Sequence, residues 1–171
     1  MGNHRALYEF SNQLDVNRVL KGEPWSFDKY LVALKRVSKH TDVRSLVFNK
    51  TNFWVQVHNI PIGSFSMVVA KDIALIVGVV DESEIDVQDG EGCNFLLVQI
   101  AVNLSIPLCR GRKIARRDGS ASWVNFKYKG LQNICYWCGL LTHHDKDCSS
   151  KMKRRGTTQV DKKQFSSWLR V

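Results

Sequence analysis

Leu96, Val98, Ile100, Val102 and Leu104 alternate with Leu97, Gln99, Ala101 and Asn103, the period of two that predicts a strand with one buried face. Phe53, Val55 and Val57 repeat the pattern against Trp54, Gln56 and His58. Residues 108–115 and 122–128 predict two further strands, joined by a turn through Asp118 and Gly119. Upstream, residues 6–10 read as a short strand, and Ser11 or Asn12 as the cap of a helix running to about Leu20. Residues 22–25 read as a turn and residues 30–37 as another strand. From Ser66, the residues Met67, Ala70, Ala74 and Leu75 fit one helical face, with Gly78 as its stop. Trp25, Phe27, Phe53 and Trp54 are assigned to the core. The order is strand–helix–strand, then strand, helix and several antiparallel strands, an α+β pattern. A cysteine cluster follows Gly130, and the polar tail after Cys148 has too little apolar content to fold alone.

Composition narrows the class. With 44% hydrophobic residues in 171, the chain can bury a core. No N-terminal apolar run resembles a signal peptide, and the longest apolar stretch, residues 73–80, is too short to span a bilayer. Ala6 stands where a myristoylation motif needs Ser or Thr. The expected location is intracellular, in nucleus or cytoplasm. Charge is divided: residues 1–100 hold 10 Lys/Arg against 12 Asp/Glu, and residues 101–171 hold 15 against 4. Residues 81–92 carry six carboxylates and no base, so an exposed acidic segment is expected there. A basic half fused to a slightly acidic half points to a localised polyanion-binding surface. Nucleic acid is the leading partner, an anionic membrane the rival, and a merely solvated face the bland alternative.

Five cysteines are too few and too unevenly placed for a secreted disulfide framework. Cys135, Cys138, His143 and Cys148 have the spacing C-x2-C-x4-H-x4-C. Two thiolates three residues apart can meet one ion within a tight turn, and Gly139 lets the backbone reverse just after them. Three thiolates and an imidazole make a closed, structural Zn2+ site with no position for a catalytic water. One such ion is expected. The alternatives are a chance cluster of buried thiols and ligation by His144; His143 is preferred because it leaves four residues on either side. So short a segment needs its metal to fold.

Residues 135–148 resemble the CCHC zinc knuckle of retroviral and retrotransposon nucleocapsid proteins. The motif of residues 22–28 (GEPWSFD), then Phe53-Trp54-Val55-Gln56-Val57 with Ile60-Pro61, then Pro107-Leu108 and the knuckle, extend the likeness over residues 7–148. Over that span the chain is similar to a plant-specific family that joins a domain of unknown function to such a knuckle. Those proteins resemble the gag-like first product of LINE-type retrotransposons. The chain departs from the family in two ways. It lacks an additional N-terminal strand–helix–strand segment, so it reads as N-terminally truncated, and Thr142 stands where nucleocapsid knuckles commonly have Gly. The expected organisation is an α+β domain over 1–130, with a candidate division near 45. The knuckle occupies 131–150 and a basic flexible tail 151–171.

The resemblance implies that Tyr136 stacks on unpaired bases. Trp137 is equally large and sits in the same small loop; packing on the preceding domain is the alternative for both rings. Arg110, Arg112, Lys113, Arg116 and Arg117 crowd one window, with Arg110, Arg112 and Arg116 expected on one strand face and Lys127 and Lys129 on the neighbouring strand. Lys151, Lys153, Arg154 and Arg155 follow the knuckle, as a phosphate track or a nuclear localisation signal. The expected function is zinc-dependent binding of single-stranded RNA or DNA, with RNA favoured. The alternative is a zinc-structured protein–protein interaction module, which the acidic segment and Trp168 would serve. No nucleophile or hydrolase motif is recognisable, so neither catalysis nor a small-molecule substrate is expected. A membrane partner is not expected, and oligomerisation has no sequence support.

Overall fold

The protein is described by a computed structural model covering residues 5–61, 66–80, 95–116, 118–154 and 163–171. At its centre lies β3 (Lys50–His58), in which Thr51, Phe53, Val55 and Val57 are buried and the intervening residues only partly so. Along its whole length β3 pairs antiparallel with β5 (Phe95–Asn103), from Lys50 opposite Asn103 to His58 opposite Phe95. From Val55 onward its other edge pairs with β7 (Ala121–Tyr128). With β4 (Val79–Val80) beyond β5 and β6 (Gly111–Ala115) beyond β7, the order is β4-β5-β3-β7-β6. The fold is α+β, built on antiparallel sheets.

α2 (Met67–Val77) carries the chain from β3 across to β4. Ser66 Oγ accepts the Val69 N–H at 3.3 Å, the expected N-cap. The buried side of the helix is Ile73, Ala74 and Val77, whereas Leu75 is exposed, so the face inferred from the sequence is turned. After the helix, a Cβ on Gly78 would lie 3.0 Å from Ile100 Cγ2 and closer still to the Ala101 carbonyl oxygen. Glycine lets the chain press directly on β5.

β5 is buried on more than its alternating side. Leu97 and Gln99 are buried too, and Gln99 Nε2 donates to the carbonyl of Lys21 at 3.3 Å. That carbonyl ends α1 (Gln13–Lys21), which is capped by Asn12 Oδ1 accepting the Leu14 N–H at 2.9 Å. Next comes a hairpin of β1 (Trp25–Phe27) and β2 (Tyr30–Val32), whose turn residues Asp28 and Lys29 both have positive φ, 45° and 66°. Between helix and hairpin, the buried Glu23 takes up the open edge of β3: its carboxylate accepts the Asn52 N–H at 3.1 Å and the Thr51 hydroxyl at 3.2 Å. Burial raises the Glu23 pKa, and these hydrogen bonds oppose the rise.

Several expectations are corrected. Residues 6–10 form no strand; Leu7 and Tyr8 are largely exposed, and no strand among the described residues lies beside them. The strand expected over 30–37 stops at Val32, and that over 108–115 begins only at Gly111. Of the four aromatics assigned to the core only Phe53 is fully buried. Trp54 points to the opposite sheet face by alternation, Trp25 donates its indole N–H to the Val19 carbonyl at 2.7 Å, and Phe27 is 78% exposed. The acidic stretch 81–92 lies outside the described residues.

The chain's end is docked rather than loose over residues 163–171. Phe165 and Leu169 are buried in the same core cluster as Phe53, Val55 and Tyr128. Arg170 bridges Tyr128 beside β7, and the Val171 N–H donates to the Tyr128 carbonyl at 3.3 Å. This segment continues the sheet edge where β6 leaves off. Among the described residues no helix is long and apolar enough to cross a membrane.

Candidate metal centre and its basic surroundings

After β7 the buried Leu131 and Ile134 anchor the chain in the core, which sets Cys135 at the base of a tight loop. The Gly139 N–H donates to the Cys135 carbonyl at 2.8 Å, and the Cys135 N–H to the Leu140 carbonyl at 2.9 Å. Gly139 has φ +77°, and a Cβ there would lie 2.6 and 2.7 Å from the Cε atoms of Phe165. Glycine is thus required twice, for the left-handed turn and for the tail ring packed on it. Asp145 Oδ1 accepts the Tyr136 N–H at 2.6 Å and ties the second half of the loop to the first. Cys148 opens α3 (Ser149–Arg154), its carbonyl accepting the N–H groups of Lys151 and Met152, each at 3.1 Å.

These bonds gather Cys135, Cys138, His143 and Cys148, with all four ligand atoms within 4.8 Å of one another. Zn–S bonds of about 2.3 Å place tetrahedral ligand atoms roughly 3.7 Å apart, so the set needs only a small contraction around an ion. His143 Nε2 lies 3.3 Å from Cys138 Sγ, and His143 Nδ1 lies 3.3 Å from Thr142 Oγ1. The Thr142 hydroxyl can therefore accept from Nδ1 and leave Nε2 as the metal-facing nitrogen. His144 is committed elsewhere: its Nε2 is 3.2 Å from Asn133 Nδ2, and its ring meets Tyr30 edge-on at 5.4 Å. Burial pushes the Cys135 thiol up to about 12. At Cys148 burial also acts upward, but hydrogen bonds led by that from His143 outweigh it and bring the thiol down to about 7. A bound dication favours thiolate at both.

Around the loop, cations face its aromatic rings. Lys151 Nζ lies 5.4 Å from the Trp137 ring centroid, while Lys163 Nζ and Arg170 Cζ lie 5.7 and 5.8 Å from that of Tyr136. Both rings are partly buried, and Tyr136 also packs against the core cluster. The Trp137 indole N–H is buried without a hydrogen-bond partner among the described residues. Lys163 also pairs with Asp145 at 3.7 Å. Lys163, Arg170 and Asp145 have no role in the sequence reading, and Thr142 enters it only as a departure from the nucleocapsid pattern. The signal available was Phe165, Trp168 and Leu169, three large apolar residues spaced i, i+3, i+4 in an otherwise polar tail.

The expected phosphate track is only partly assembled. Arg112, Lys113 and Arg116 are exposed on and beside β6, but Arg110 and Arg116 lie outside the strand, so alternation assigns neither of them to the face of Arg112. Register puts Lys113 opposite Trp123, on the side that also carries Lys127, and Arg112 opposite Val124 on the other. Arg110 holds the tail, donating to the Gln164 carbonyl at 2.7 Å with its guanidinium 5.4 Å from the Phe165 ring. Lys129 is exposed just beyond β7, and Lys153 is exposed on α3, which Arg154 ends. Arg117 and Arg155 lie outside the described residues.

Residues 102–150 match the zinc knuckle family, a span that takes in the β6–β7 hairpin as well as the ligand loop. The chain is similar to an uncharacterized protein of Arabidopsis thaliana, 26% identical over 137 residues, which cover 79% of this chain and 42% of that protein. It spans less than half the length of the curated relative it matches. No solved structure matches the chain. A CCHC-type zinc knuckle is present, and its three cysteines and one histidine fit a single structural zinc ion.

Proposed function

We propose that this chain binds unpaired nucleic acid, RNA foremost, through its zinc-ordered knuckle, without catalysis. The observation that carries the reading is the pairing of both knuckle rings with cations, Lys151 at Trp137 and Lys163 with Arg170 at Tyr136, in a half of the chain with 15 Lys/Arg against 4 Asp/Glu. An exposed cation–π contact contributes about 0.5–1 kcal/mol, less than the roughly 1–3 kcal/mol of a base stacked on an aromatic ring. An incoming base can displace a cation from the ring face, and the released cation then meets the strand's phosphate. Zinc enters by holding the loop in this shape. Its closed ligand set supports binding rather than hydrolysis. The likeness to gag-like retrotransposon products supports the same assignment and a retroelement descent.

The test is fluorescence anisotropy with a short unstructured RNA and a duplex of the same sequence. The parent is expected to prefer the single strand. Tyr136→Ala is expected to weaken single-strand binding about equally at low and high salt with zinc retained, and Tyr136→Trp to preserve it. Equal affinity of the alanine variant and the parent would make Tyr136 a packing residue only.

A further inference from the structure

The face of the sheet turned away from α2 carries side chains that the knuckle does not use. Residues opposite one another in antiparallel strands share a face. Gln56 stands opposite Lys127 and His58 opposite Asn125, while Trp123, two positions before Asn125, stands opposite Lys113. Between them lies a groove of about 410 Å³ lined by His58, Asn59, Asn125, Lys127 and Trp168. The groove is shallow and open to solvent, a surface for one face of a ligand rather than an enclosed cleft. None of the five lining residues is acidic.

Trp168, which lines the groove, is 40% exposed, and Trp123, outside the lining but on the same sheet face, is 46% exposed. Trp123 donates its N–H to Asn125 Oδ1 at 2.7 Å, and His58 Nε2 is 2.9 Å from Gln56 Oε1. Burial and the neighbouring Lys127 hold the His58 pKa below its ordinary value, and its ring packs at a tilt against Phe95, centroids 5.2 Å apart, beside Lys127 in the groove. In the centre of a sheet the backbone groups of β3 and β7 are already paired. A peptide cannot add here as an extra strand, which needs an open edge. What remains is recognition by flat rings, amides and a cation, the chemistry of a base with its phosphate.

Trp168 also joins this groove to the knuckle. Its neighbour Leu169 is fully buried, and Arg170, two residues on, faces the Tyr136 ring. Two residues span at most about 7 Å of backbone. One short docked segment therefore serves both places.

We infer that the sheet groove is a second binding site, taking an unpaired nucleotide of the strand held at the knuckle, stacked on Trp168 with its phosphate at Lys127. The inference rests on the nucleic-acid reading of the knuckle, and the two can fail separately.

The test uses the full zinc-loaded chain and labelled oligouridylates of two lengths, one able to cover only the knuckle and one long enough to continue across the sheet. Trp168→Ala is expected to weaken the long strand at least fivefold and leave the short one unchanged. Trp168→Phe should restore most of the loss. Lys127→Gln should also weaken the long strand. Crosslinking with 4-thiouridine in the long strand should label the peptide containing Trp168. Zinc content and thermal midpoint establish that each variant is folded. If the parent binds both lengths while Trp168→Ala and Lys127→Gln bind the long strand as tightly as the parent, the groove is not a nucleotide site and the knuckle reading stands. If the parent binds neither length, both readings are wrong.

Discussion

Gly139→Ala tests the docking of the tail on the knuckle. Two costs are expected. The residue sits at φ +77°, where a side chain costs about 1–2 kcal/mol. The new methyl also occupies the place of the Phe165 ring, whose burial is worth about 1.5–3 kcal/mol. Together they amount to roughly 2.5–5 kcal/mol, which for a chain of this size lowers the melting temperature by roughly 5–20 °C. In a Phe165→Ala background the ring is gone, and Gly139→Ala should then cost only the backbone part, about 1–2 kcal/mol. The assay is urea and thermal denaturation of the four proteins of this cycle in excess zinc, followed by circular dichroism. An equal cost of Gly139→Ala in both backgrounds would mean that Phe165 does not rest on the knuckle turn.

Other outcomes follow from the ligand set and the charge. Cys148→Ser should abolish tight zinc binding and His143→Ala nearly so. His144→Ala should keep full occupancy but lose stability through its contacts with Asn133 and Tyr30, and metal analysis of the purified variants decides. Thr142→Val removes the hydroxyl beside His143 Nδ1, and chelator competition should show zinc affinity lower by about 10–100-fold. Unpaired strands should bind with a log–log salt slope of about −0.7 per phosphate contact. Replacing Arg112, Lys113, Arg116 and Arg117 together should flatten that slope for every sequence; an unchanged slope places the contacts elsewhere.

The zinc ligands were legible because four residues at fixed spacing specify a tetrahedron with little help from the rest of the chain. β3 and β5 were legible through alternation, and α2 through Ser66 and Gly78 at its ends. Features that depend on distant surfaces were not. The β1–β2 turn uses Asp28-Lys29 at positive φ, where Asn-Gly is the usual signal, so β1 went unseen. Leu75 is the more apolar of the neighbours Ala74 and Leu75, yet it is Ala74 that faces in, which the packing of the helix on β5 decides. The tail read as flexible because Phe165 and Leu169 are sparse among polar residues; their burial requires the bare Gly139 turn and the end of β7, which come together only in the fold. Arg110 looked like a phosphate ligand but is occupied with that same tail. Charge composition locates a basic half, and register alone assigns each cation to a face.

The central claim is that zinc orders the knuckle and the ordered knuckle binds unpaired strands. The direct test titrates zinc into metal-free protein and follows bound metal and anisotropy of a labelled unstructured RNA on the same sample. Both signals are expected to rise together and saturate at one zinc per chain, with Cys148→Ser showing neither. Binding of RNA that is complete before zinc is added, or full zinc loading with no affinity for RNA at low salt, would contradict the account.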